Sequence, residues 1–275
     1  MALKLMYITN RPEVAQIAEA AGVDRVFVDL EYIGKADRQG GMDTVQSHHT
    51  LEDVKQISNT LTTAELLVRV NPIHDATEEY VSSEEEISAA IQNGADIIML
   101  PFFKTVDEVK RFLAAVDGRA KTMLLMETPE AVEIVDDLLL LEGIDSVHIG
   151  LNDLSLGYGK KFMFELLTDG TVEKLCAKFC DKCVPYGFGG IASLGKGVIP
   201  AEMIIKEHYR LGSTCAILSR SFCDVDKIGC MDTIRLTFVH GIHAIREFEA
   251  WCENNHGDFV KNKREIAEAI NRIIG

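Results

Sequence analysis

The chain has 275 residues, 47% of them hydrophobic, and its 43 acidic against 28 basic side chains leave a formal charge of −15. That length and apolar content suit one large α/β domain and exclude a disordered polymer. The acidic balance argues against nucleic acid and anionic membranes as partners. No run of about 18 uncharged apolar residues is present to span a bilayer, and the N-terminal stretch lacks the pattern of a signal peptide. Seven cysteines, an odd number in a chain this long, do not read as a disulfide scaffold. A reduced, cytoplasmic protein is expected.

Eight short runs rich in Val, Ile and Leu follow one another along the chain, at 3–8, 25–30, 65–70, 96–101, 122–127, 146–151, 186–191 and 214–219. They are continuously apolar rather than alternating, as strands of a parallel sheet buried on both faces require. Helical patterns separate them. Arg11–Ala21 carries Val14, Ile17, Ala18 and Ala21 on one face and stops at Gly22. Further helices are predicted near 50–61, 83–93, 105–116, 129–141, 169–183 and 199–211. Thr105 with Glu108 forms a capping box, and Thr128 precedes a proline at a helix start. Eight strands alternating with helices predict a (β/α)8 TIM barrel, with an open doubly wound sheet as the other arrangement; the first βα turn, TNRPEV, has no dinucleotide fingerprint. No linker divides residues 1–275, so one domain is expected. The tail, about 228–275, reads as extra C-terminal helices, some of them exchanged with or packed on a neighbouring subunit.

In a barrel the reacting groups stand at the C-terminal ends of the strands. There this sequence places Asp29, Glu31 and Tyr32, then Arg69 and Asn71, then Glu127, then Asn152 and Asp153, and finally Ser219 and Arg220. Glu127 and Asp153 follow adjacent strands, and two carboxylates completed by water suit Mg²⁺ or Mn²⁺. Both residues also fit the plain role of helix starts. Arg69 ends an apolar strand and needs an anionic partner, either a substrate carboxylate or a rim residue such as Glu31. The glycine-rich loop 187–197, with Gly189, Gly190, Ser193 and Lys196, together with Arg220, is either a cradle for phosphate or a distal carboxylate or an ordinary lid.

The series VFVDLEY, LLVRVNP, GADIIMLPFFKTVDEV, LLMETPEAV and HIGLNDLS resembles the HpcH/HpaI aldolase and citrate-lyase-β group of phosphoenolpyruvate/pyruvate-binding barrels, over about residues 3–225. The resemblance implies a TIM barrel, commonly with an exchanged C-terminal helix, and a homo-oligomer, a hexamer or trimer. It implies a divalent-metal-dependent C–C lyase of the class II aldolase type, acting on a 2-oxo acid and an aldehyde through a metal-stabilised enolate. Its cofactor would be Mg²⁺, or Mn²⁺ or Co²⁺. Glu127 and Asp153 then stand for the metal ligands, Arg69 for the arginine beside the oxo acid, and the amides near Asn152 and Asp153 for the carboxylate-binding turn. The match fails at one place. The family's D-x-E-H becomes Asp29–Leu30–Glu31–Tyr32, and the aspartate that partners that His falls near Gln92 or Asn93. His48, His49 or Tyr32 is left to supply the acid or base. Two other readings stay open: phosphoenolpyruvate or acyl-thioester condensation on the same scaffold, and a barrel without a base that only binds a small acid or a protein.

Three further signals point to structure. Cys176, Cys180 and Cys183 have the spacing of an iron–sulfur site, but steps of four and three set them on one helix face as small core hydrophobes. His148 lies inside a strand and is expected in the core. His240 and His243 belong to the tail.

Overall fold

In the computed structural model, which describes residues 2–34, 48–256 and 258–275, eight parallel strands close into a barrel in sequence order. They are β1 (Lys4–Ile8), β2 (Arg25–Asp29), β3 (Glu65–Arg69), β4 (Ile97–Leu100), β5 (Lys121–Met126), β6 (Ser146–Ile149), β7 (Tyr186–Ile191) and β8 (Cys215–Leu218). Between them run α1 (Pro12–Ala20), α2 (Leu51–Thr60), α3 (Ser83–Gln92), α4 (Val106–Val116), α5 (Pro129–Glu133), α6 (Val135–Leu138), α7 (Leu151–Gly157), a 3₁₀ turn at Met163–Leu167, α8 (Thr171–Asp181) and α9 (Ala201–Arg210). The barrel, not the open sheet, is therefore the fold. Thr50, Ser82 and Thr105 each begin a helix with a full capping box, and Thr128 caps α5 through the Ala131 N–H. The single helix expected at 129–141 is two short ones broken at Ile134.

Strand alternation sorts the apolar side chains into two bodies. Leu5, Val26, Val28, Leu66, Val68, Ile98, Leu124 and Met126 point outward under the helices, in the large cluster. Met6, Phe27, Leu67, Ile97, Met99, Met123, Leu125 and Cys215 fill the barrel interior. At the foot of the barrel a Gly-x-Asp triplet recurs. Asp24, Asp96 and Asp145 accept the N–H of Leu5, Leu66 and Thr122, each from the neighbouring strand, at 2.7–2.8 Å. Within these triplets Gly94 has φ +99°, and a Cβ there would come within 2.0 Å of the Ser58 hydroxyl.

The tail forms α10 (Met231–Asn254) and α11 (Asp258–Ile274). In the single chain α10 packs between α1 and α9, where the eighth helix of a barrel belongs. Arg246 ties it to the Leu3 carbonyl and Asp24 and pairs with Glu249 on the same helix, and Glu249 accepts the Leu3 N–H at 2.7 Å. The second tail helix lies on α9, where Asn262 donates to Met203 O and Glu207 and Lys206 pairs with Asp258. In the single chain both tail helices pack on the barrel's outer helices, the first of them as the eighth layer. His240 and His243 are exposed, as a solvent-facing tail requires.

The cysteine expectation needs correction. Only Cys176 is buried; α8 ends at Asp181, and Cys183 lies beyond it in a left-handed turn, exposed like Cys180. The three therefore share no face, and among the described residues no group of three or more His, Cys, Asp or Glu gathers as a metal site.

His148 does lie in the barrel interior. Its Nε2 donates to the Gly189 carbonyl at 3.1 Å, and burial pushes its pKa down to about 4. His208 stacks flat on Phe188 with centroids 3.9 Å apart, and burial lowers it to about 3. Both are neutral in the native state, whereas the unfolded chain takes up their protons below about pH 6.5. The unfolded state binds more protons in that window, so stability falls on acidification, by about 1.4 kcal/mol per pH unit for each group. Urea unfolding between pH 6.5 and 4.5 should show this decline, and His148→Gln, which cannot titrate there, should reduce its slope.

Candidate active site at the barrel mouth

Inward alternation carries polar groups onto the top of the apolar column. Two positions beyond Phe27, Leu67, Leu125 and His148 stand Asp29, Arg69, Glu127 and Gly150. The first three are the charged layer of the mouth. Arg69 donates Nε and Nη2 to the two oxygens of Asp29, each at 2.8 Å, and its Nη1 lies 3.3 Å from Glu31. Asp29 and Glu31 are each 1% exposed. Burial works against the guanidinium charge, but Asp29 and Glu31, with Glu127 further off, outweigh it and raise the pKa of Arg69. The structural partner foreseen for Arg69 is therefore present, with Asp29 holding it more closely than Glu31.

Glu127 follows β5 directly and is 3% exposed. Its Oε1 accepts the N–H of Phe102 at 3.1 Å. The neighbouring strand makes room for it at Gly150, where a Cβ would stand 2.8 Å from both Cβ and Oε2 of Glu127. Asp153, 8% exposed, lies in the first turn of α7. Both carboxylates line one cleft of about 510 Å³, together with Phe102, Lys104, Pro129 and Leu156. A larger hollow of about 670 Å³ lies at the strand feet around Asp96, Arg119, Lys121 and Asp145. We place the site at the cleft, because barrel chemistry belongs to the other end of the strands.

The other candidates divide into two groups. His49 is buried at the rim, and its Nδ1 accepts the N–H of Asp29 at 3.0 Å. That bond places the proton of a neutral ring on Nε2. Tyr32 donates its hydroxyl to the His49 carbonyl, and burial with the Asp29 and Asp53 carboxylates raises its pKa, so the phenol stays protonated. His48 is exposed and stacks beside Tyr32 at 6.2 Å. The turn that carries Tyr32 hangs on Asn71, whose Oδ1 accepts the N–H groups of Tyr32 and Ile33 and whose Nδ2 donates to Glu86.

The second group comprises Ser193, Arg220 and Asn152. Ser193 donates to the Phe222 carbonyl, Arg220 is exposed, and Asn152 is half-buried with its carbonyl taken by Ser155. Two contributors were not legible in the sequence. Gly150 acts by the side chain it lacks, and Phe102 acts through its backbone.

The model of the HpcH/HpaI aldolase/citrate lyase family matches residues 4–165. Among proteins with curated descriptions none matches the chain. In three dimensions the chain is similar to an HpcH/HpaI aldolase from Desulfitobacterium hafniense DCB-2, with a TM-score of 0.60 and 16% identity over 79% of this chain and 86% of that one. It is also similar to an HpcH/HpaI aldolase/citrate lyase family protein from Burkholderia cenocepacia J2315, with a TM-score of 0.60 and 14% identity over 89% and 94%. Macrophomate synthase follows, with a TM-score of 0.54 and 18% identity over 79% and 77%. At such identities the likeness establishes the barrel alone. The sequence match spans more than half of the chain, and with it the protein belongs to the HpcH/HpaI aldolase/citrate lyase family, a family of aldolase- and lyase-type enzymes.

Proposed function

We propose that the chain is a divalent-metal-dependent C–C lyase of the aldolase type that acts on a 2-oxo acid through its enolate. The observation that carries this reading is the pair of buried carboxylates, Glu127 and Asp153, lining one cleft beside the charge of Arg69. Two hard oxygen donors that leave room for water and a chelating substrate fit Mg²⁺, Mn²⁺ or Co²⁺. When bound, such an ion supplies positive charge where the enolate oxygen develops.

The chain's own residues supply the rest. Arg69 cannot swing, because Asp29 grips it at two points, so its charge is preorganised toward the mouth. His49, buried at the rim with Nδ1 accepting the Asp29 amide, carries the proton of its neutral ring on Nε2. That is the group required when the enolate carbon is protonated to release the oxo acid. Tyr32 is a positioning residue for His49 through its carbonyl. This arrangement favours chemistry over a barrel that only binds.

Purified protein given Mg²⁺ and oxaloacetate should release pyruvate, and EDTA should abolish that release. Glu127→Gln should lower the rate at least ~100-fold, the scale of removing a principal electrostatic contributor, while circular dichroism still shows a folded barrel. Pyruvate formation unaffected by EDTA sinks the metal reading, and phosphate release from phosphoenolpyruvate would move the assignment to condensation chemistry. Arg69→Met strands Asp29 and Glu31 without a counter-charge. It should cost about 3–5 kcal/mol of stability, read as a lowered urea midpoint.

A further inference from the structure

Phe102 stands two residues past β4 with φ +47°, in the left-handed region. A bulky aromatic residue is strained there, and glycine is the ordinary occupant. Among the described non-glycine residues only Asp117 and Cys183 share the sign of that angle, and both lie where helices end, its usual place. Phe102 lies instead at the barrel mouth, between a strand and a capped helix.

Its neighbours hold the conformation from both sides. Phe103 is fully buried, and its carbonyl accepts the Thr128 hydroxyl at 2.7 Å. The N–H groups of Lys104 and Thr105 both bond to Glu108 at 2.8 Å, which fixes the loop to α4. The ring of Phe102 walls the cleft, with Lys104 Nζ 5.4 Å from its centroid. The strained peptide aims its N–H at Glu127 Oε1. Oε2 is then laid over Gly150.

We propose that Phe102 is the positioning residue for Glu127. The surrounding packing holds its peptide in an unfavourable conformation so that the amide sets the direction of the carboxylate. This rests on the metal-binding reading of Glu127 given above. Glycine at 102 would adopt the same angles freely but would also leave them more freely, since the ring that walls the cleft would no longer help to hold the peptide. The carboxylate would lose its fixed orientation while the fold remained.

The test is Mn²⁺ binding followed by electron paramagnetic resonance, alongside thermal unfolding, on the wild type, Phe102→Gly, Phe102→Tyr and Glu127→Gln. Phe102→Gly should weaken Mn²⁺ binding about three- to fivefold, the scale of glycine's extra backbone freedom. Its unfolding midpoint should stay within ~2 °C of wild type, because relief of strain offsets the lost contacts of a half-buried ring. Phe102→Tyr, which keeps ring and backbone, should bind as the wild type does. Unchanged affinity in Phe102→Gly overturns the proposal, as does a loss of affinity that merely tracks a fall in stability. If the wild type binds Mn²⁺ and Glu127→Gln does not, either result sinks the positioning role alone. If the wild type binds no Mn²⁺, the assignment of Glu127 as a ligand falls first.

Discussion

A guanidinium clasped by two carboxylates crowns the apolar column of the barrel, and the rest of the mouth is arranged around it. Arg69 joins β2 to β3 through Asp29 and reaches Glu31 with its remaining nitrogen. Buried ions persist only when paired, since the desolvation of each is costly. Glu127 and Asp153 add two more buried carboxylates to the same mouth. Carboxylates gathered in one place repel one another, and a bound cation is one way to relieve that repulsion. The metal proposed above would act on the same electrostatics that fix the arginine.

The departure from the family pattern has a visible structural consequence. Tyr32 stands where the resemblance implies a histidine, and its hydroxyl donates to the backbone carbonyl of His49. Asn71 anchors that turn and is itself held by Glu86, whose carboxyl is pushed up by burial against the pull of its bonds to Asn71. An imidazole thus enters the rim from a later point in the chain, next to Asp29. The chemistry that the missing histidine would supply has a candidate source without any change in the strands.

The barrel was legible because continuous apolar runs and capped helices repeat with one period. Glu127 and Arg69 could be placed at the mouth from the sequence because they stand at the C-terminal ends of apolar strands, and Asp153 because it opens the helix after the next strand. The Gly-x-Asp triplets at residues 22–24, 94–96 and 143–145 were also open to reading, as a spacing, though only the bonds to Leu5, Leu66 and Thr122 explain them. Phe102 had no such signal. Nothing in LPFFKT announces a left-handed peptide, since the residue type argues against it and only tertiary packing imposes it. The cysteine spacing misled for a related reason: a helical step predicts a shared face only while the helix continues, and α8 stops two residues before Cys183.

The bonds between the first strand and the tail bear on how the molecule is born. Leu3 meets Glu249 and Arg246, and β1 pairs with β8, so partners at opposite ends of the chain close the same seam. During synthesis the first strand waits, one edge bare, until more than 200 residues have followed it from the ribosome. Long-range closure of this kind is slow, and an unpaired parallel edge invites the wrong neighbour. The seam is where a nascent chain of this protein is most exposed to aggregation, and where a chaperone would have most to protect.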